Sequence, residues 1–216
     1  MMMTGHRSAS RTWDGGWAEA ERAAEKMVFR APTFALELAK ALRPDRRSAH
    51  VGGNLATATE EVVINVPVDR VYAQVADVTQ MGRWSPENTG ATIRDGGIVG
   101  VGTVFDGRNL RGRLRWTTRC EVIAADVNEC FAFKVRAIGW DRPFLRFPIA
   151  TWTYRFRPID EATTAVSETW AVGPWPRPVV DAVNHWSANG LTGAEIQSRN
   201  LAITLRNLKQ RLEADD

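Results

Sequence analysis

Between Thr89 and Val172 the sequence divides into short runs of alternating polarity, and this constrains the fold more than any other feature of the chain. The runs are Thr89 to Arg94, Gly102 to Asn109, Arg113 to Ala124, Glu129 to Ile138, Ala150 to Pro158 and Thr163 to Val172. A period of two is the signature of a strand with one buried face. The breaks hold turn residues, among them Asp95-Gly96-Gly97, Gly112, Asp126 to Asn128 and Asp160-Glu161. Connections of this kind pair neighbouring strands antiparallel, because a parallel crossover needs a dozen or more residues. The last residues then change period. Ala194, Ile196 or Gln197, Leu201, Thr204 or Leu205, Leu208 and Leu212 recur at helical spacing, which predicts a long terminal helix with one apolar face.

Alternation also assigns the faces. Leu114, Trp116, Thr118, Cys120 and Val122 share one side of their run, with Arg113, Arg115, Thr117, Arg119 and Glu121 on the other. Phe131, Phe133 and Val135 oppose Lys134 and Arg136, and Trp152, Tyr154 and Phe156 oppose Arg155 and Arg157. Val166, Glu168 and Trp170 share a face of the last run. Aromatic-rich faces closing on a single helix make either a large core or an apolar pocket, and a curved sheet with one helix leaves room for the pocket. The nine tryptophans fit that expectation. Glu168 breaks the pattern, since a carboxylate on an apolar face loses hydration unless it is paired. It is either held by a nearby Arg, Trp or Asn, or it is an acid, base or orienting group in the pocket. Asn109, on the face with Phe105 and Gly107, is the neutral polar group expected nearest to it, unless it is a turn residue.

Upstream of the sheet, Glu60 to Val66 reads as a further strand, ended by Pro67 at the start of a short helix from Val68 to Ala76. A second short helix is expected from Gln80 to Trp84, stopped by Ser85-Pro86. Residues 1–57 differ in texture, being rich in Ala, Arg and Glu and poor in β-branched residues. Two amphipathic helices are expected there, the first capped by Asp14 and carrying Trp17, Ala20 and Ala24, the second carrying Phe34, Leu38 and Leu42. This N-terminal helical extension packs on the domain or on a second copy, lies on an anionic lipid surface, or is disordered. The domain itself is expected over residues 58–216.

The bulk properties exclude several functions. A net charge of +3, from 28 cationic against 25 anionic side chains, does not call for nucleic acid. Cys120 and Cys130 lack any metal-ligand spacing and read as reduced core thiols, the alternative being a pair facing across a hairpin. The three histidines, His6, His50 and His185, are scattered. No metal and no cofactor are therefore expected, and there is neither a Gly-x-Ser-x-Gly elbow nor a phosphate loop. Without an apolar stretch long enough for a membrane span or a leader, the expected location is the cytoplasm.

Local motifs carry a resemblance. Glu61-Val62-Val63-Ile64-Asn65-Val66-Pro67-Val68-Asp69-Arg70-Val71-Tyr72 is followed by Trp84-Ser85-Pro86-Glu87 and by the segment from Gly102 to Asn109. Trp116 with Cys120, Trp152-Thr153-Tyr154-Arg155-Phe156 and Ser167-Glu168-Thr169-Trp170 complete the set. From Glu60 to Leu212 the chain resembles the SRPBCC superfamily, in its START-like and polyketide cyclase/dehydrase branch. The resemblance implies an α+β helix-grip fold, a curved antiparallel sheet of six to seven strands wrapped round the C-terminal helix. It also implies a pocket between them, entered near Met81, Trp84 and the segment Ile138 to Ile149.

Two segments depart from the minimal pattern, the extension and the long apolar loop Gly139 to Pro148, and Val172 to Trp186 joins them. These put Trp140, Phe144, Phe147, Trp175 and Trp186 on loops, as a lid or a homodimer surface in preference to a membrane-touching edge.

The expected function is binding of a hydrophobic small molecule of polyketide, lipid or polycyclic type. One form is a cyclase/dehydratase-like enzyme with Glu168 as acid or base, Asn109 and Tyr154 as hydrogen-bond donors, and Arg111 or Arg113 at the rim. His185 and Asn189 could reach the entrance. The alternatives are a non-catalytic carrier and an interaction module built on the loop aromatics. The ligand-binding candidates are Trp84, Phe105, Trp116, Phe131, Phe133, Trp152, Trp170 and Trp186.

Overall fold

The computed structural model describes residues 57–173 and 193–215. The expected extension, apart from Thr57, lies outside the described residues, as do Trp175, His185, Trp186 and Asn189. Strand β1 (Thr57–Ile64) leads into helix α1 (Val68–Ala76) and a 3-10 turn (Val78–Arg83). Six strands follow: β2 (Asn88–Ile93), β3 (Val104–Arg111), β4 (Leu114–Asp126), β5 (Cys130–Gly139), β6 (Leu145–Asp160) and β7 (Thr163–Val172). The long helix α2 (Gly193–Ala214) ends the chain.

All seven strands form one antiparallel sheet in the order β1-β7-β6-β5-β4-β3-β2. Strands β2 to β7 meander, as their short connections require. β1 pairs with β7, so the sheet is left open, with β1 and β2 at its edges. α1 and the 3-10 turn carry the chain from one edge to the other.

The helix lies against the face that alternation marks as buried. Leu201, Thr204, Leu205, Leu208 and Leu212 are its buried residues. Leu205, Leu208 and Leu212 cluster with Ile64, Phe105, Val122, Phe131, Val135, Tyr154, Phe156 and Val166 from the sheet and Val71, Tyr72 and Val75 from α1, whereas Leu201 clusters with Ala58, Ala150 and Trp170. Polar contacts fix the C-terminal half of the helix. Glu213 accepts the Asn65 N–H at 2.8 Å and the Lys209 ammonium at 2.6 Å, and Asn207 donates to the Trp84 carbonyl at 2.9 Å. On the opposite face Arg119 and Arg94 share the Asp106 carboxylate, and Arg136 pairs with Glu121. The outward residues are therefore charged and mutually satisfied.

Several boundaries differ from the sequence reading. β1 begins three residues earlier than Glu60, so Thr57, assigned to the extension, opens the strand. β6 begins at Leu145 instead of Ala150, which turns the second part of the expected Gly139 to Pro148 loop into strand and places Phe147 in β6. Pro148 offers no donor and masked that extension, yet an irregularity in the β5–β6 ladder accommodates it. Cys120 and Cys130 are free thiols, one buried and one half-buried.

Candidate functional site

Register aligns the inward residues of neighbouring strands into rows across the sheet. One row runs Glu60, Glu168, Tyr154, Phe131. The next runs Ala58, Trp170, Trp152, Phe133, Val122. Because opposed residues on one face have Cβ atoms about 5 Å apart, each row is a line of touching side chains. Trp152 stacks on Phe133 with centroids 5.8 Å apart and planes 7° from parallel, and Phe133 meets Phe105 edge-on at 5.4 Å.

Glu168 sits in this aromatic surround, 2% exposed. The Tyr154 hydroxyl donates to its Oε1 at 2.5 Å, whereas its Oε2 is buried with no hydrogen-bond partner among the described residues. Burial is the dominant influence and pushes the carboxyl up to about 8, against the Tyr154 hydrogen bond, which lowers it. Tyr154 is held well above the ordinary tyrosine range, first by its own burial and then by the adjacent carboxylate. At neutral pH the pair is thus an uncharged phenol donating to an uncharged carboxylic acid. The acid retains a proton and an oxygen that no described residue uses. Such a group can donate a hydrogen bond, or a proton, to an acceptor laid against the aromatic face.

Asn109 lies elsewhere. It pairs with Trp116 toward the other edge of the sheet, and its amide Nδ2 donates to the Gly107 carbonyl at 3.2 Å and Thr118 Oγ1 at 3.4 Å. The polar neighbour of Glu168 is Tyr154, not Asn109, because β4, β5 and β6 intervene. Met81 and Trp84, expected at an entrance, are buried at 6% and 1% exposure and belong to the core. Phe105, Phe131, Phe133 and Trp170 are likewise buried. Trp116 and Trp152 remain half-buried: Trp116 lies with Asn109 and Thr118 toward the start of β4, and Trp152 lies in the row of Phe133 and Val122.

Two polar groups passed over in the sequence border this face. Glu87 ties three elements together: its Oε1 accepts from Arg111 at 2.6 Å and from Asn200 of α2 at 2.8 Å, while its carbonyl accepts the Leu110 N–H. Arg111 in turn lies over the Trp116 ring at 5.8 Å. Glu60, opposite Glu168, accepts from the Ser198 hydroxyl of α2. Its signal was present, since extending the alternation of β1 back to Ala58 puts Glu60 on the buried face. Two open clefts bounded by described residues lie outside the aromatic face. One of about 450 Å³ lies between α1, the 3-10 turn and the end of α2, and one of about 200 Å³ between β1 and α2 includes Glu60.

The family model for polyketide cyclases/dehydrases and lipid transport matches residues 56–213. The chain belongs to that family. Its match spans every described element, from the first strand to the terminal helix. Among curated proteins none matches the sequence. Among solved structures, a START superfamily protein from Mycobacterium smegmatis is 15% identical with a TM-score of 0.50, the match covering 74% of this chain and 99% of that one. The Zhui aromatase/cyclase from Streptomyces sp. R1128 is 17% identical with a TM-score of 0.51, over 74% of this chain and 94% of that one. A Polyketide_cyc-like protein from Corynebacterium glutamicum is 28% identical, with a TM-score of 0.48, over 76% and 95%. The likeness to the first two establishes a shared helix-grip fold. Family membership supports a fold built for hydrophobic ligands and leaves the chemistry to the residues of the site.

Proposed function

We propose that this chain binds a hydrophobic small molecule of polyketide, lipid or polycyclic type between the aromatic face of its sheet and α2. The observation that carries the reading is Glu168, a buried carboxyl with one unused oxygen in a surround of Tyr154, Trp152, Trp170 and Phe131. A buried polar atom without a partner is costly, and a ligand acceptor would relieve that cost. Trp116 and Trp152, both half-buried on this face, supply apolar area for the body of the ligand.

The test is titration of the purified chain with anilinonaphthalene sulfonate and a fluorescent fatty acid, read by probe emission and tryptophan quenching. Saturable binding that weakens in Trp152→Ala is expected. A cooperatively folding chain that binds neither probe and releases no apolar compound on solvent extraction would overturn the proposal.

A second reading, a cyclase/dehydratase-like lyase, is favoured by the protonation of Glu168. An acid that titrates near 8 is loaded at neutral pH and strong enough to protonate a developing enolate or a leaving hydroxyl. In this reading Glu168 moves the proton and Tyr154 holds it in place. Asn109 contacts only a ligand long enough to reach the opposite end of the face. Turnover would require the acid form and decline above about pH 8. Unchanged turnover in Glu168→Gln would rule out Glu168 as the proton carrier, and absence of turnover in the native chain would leave the carrier reading alone.

A further inference from the structure

The hairpin joining β5 to β6 presents two large rings to solvent. Trp140 is 54% and Phe144 57% exposed, and they stack on each other with centroids 5.6 Å apart. Two adjacent aromatic rings left in water forgo the stabilisation that burial would bring, and exposed apolar patches of this kind mark contact surfaces.

The tip is also built to hold them. A Cβ on Gly139 would stand 2.0 Å from the Arg142 carbonyl oxygen, so only glycine lets the chain fold back this tightly. The Phe144 N–H donates to the Ile138 carbonyl at 3.2 Å, and Thr117 Oγ1 donates to the Trp140 carbonyl at 2.9 Å, fastening the tip to β4.

The surrounding charge identifies the partner. Arg142 and Arg146 are exposed on the hairpin, and Arg113 and Arg115 are exposed at the adjoining end of β4, with Asp141 as the acidic residue of the turn. A second copy of this face would bring arginines against arginines. A negatively charged lipid surface would meet them with phosphates, while tryptophan and phenylalanine settle at headgroup depth.

We infer that the β5–β6 tip is a peripheral docking site for anionic membranes. No helix among the described residues is long and apolar enough to cross a bilayer, so the contact is with the surface. It is independent of the interior site, because neither ring belongs to the inward face.

Flotation of the full chain with vesicles tests this. Vesicles of phosphatidylcholine containing phosphatidylglycerol should carry the protein at low salt and release it as salt rises, and phosphatidylcholine alone should carry little. The double substitution Trp140→Ser with Phe144→Ser should abolish flotation while leaving the urea midpoint unchanged, since both rings are exposed. Arg142→Gln with Arg146→Gln should weaken partitioning by roughly fivefold per arginine. Glu168→Gln should have no effect, which separates this result from the fate of the ligand-binding proposal. Failure of the full chain to float, flotation undiminished in the ring variant, or retention on an RNA oligonucleotide with no vesicle binding would each overturn the inference.

Discussion

At the residue scale the informative group is Glu168. An unfolded glutamate titrates at its ordinary value of 4.5, and the buried one titrates at about 8. Between those values the native chain holds one proton more than the unfolded chain, so stability falls as pH rises. The expected slope is about 1.4 kcal/mol per pH unit, levelling above about pH 8. Urea unfolding at a series of pH values should show this decline in the native sequence and lose it in Glu168→Gln. Tyr154→Phe should act differently. It leaves Oε1 buried without its donor, at a cost of about 1–3 kcal/mol, and it moves the Glu168 titration still higher because the bond that lowers it is gone. Infrared titration of the protonated carboxyl band, assigned by its absence in Glu168→Gln, would check the direction. Glu168 was legible in the sequence because a single carboxylate interrupts an apolar alternation. Its partner was not legible as such, since register between β6 and β7 decides which of several polar residues lies opposite, and alternation fixes register only to within an even number of residues.

At the element scale, α1 and β7 could be read to the residue and β2 to β5 to within two residues, because period and turn chemistry are local properties. Errors arose where a tertiary contact outweighed a local signal. β6 runs through Pro148, and Trp84, placed at an entrance by the family resemblance, is drawn into the core under α2. The β5–β6 hairpin depends on a contact that sequence shows only as a glycine. Gly139→Ala should cost more than about 2 kcal/mol, measured by chemical denaturation, because the obstructing atom is backbone and cannot rotate aside. It should also weaken vesicle binding, as the stacked pair loses its platform. An equal substitution at Gly96, where nothing lies within 4 Å but φ is +68°, meets strain without collision and should cost less.

At the scale of the whole molecule, one apolar layer is shared by the sheet and a single helix, so the sheet cannot be stable with that layer uncovered. A chain ending before residue 193 should lose its cooperative urea transition and bind anilinonaphthalene sulfonate nonspecifically, with broad tryptophan emission. The fold class was readable at this scale because six alternating runs and one amphipathic helix permit few arrangements. The ligand was not, since a face of Trp, Phe and Tyr accepts many apolar shapes and one carboxyl narrows them only to those offering an acceptor.

The pairing of β1 with β7, Thr57 against Ala171 and Ile64 against Thr164, carries a consequence for biosynthesis. β1 leaves the ribosome long before β7, its partner, and α2, which packs across β1, follows later still. Until β7 emerges, Thr57–Ile64 lacks the strand it pairs with and is a natural client for a chaperone. The seven-stranded sheet is complete only once Val172 has been made, and its apolar face is covered only when residues 193–214 follow.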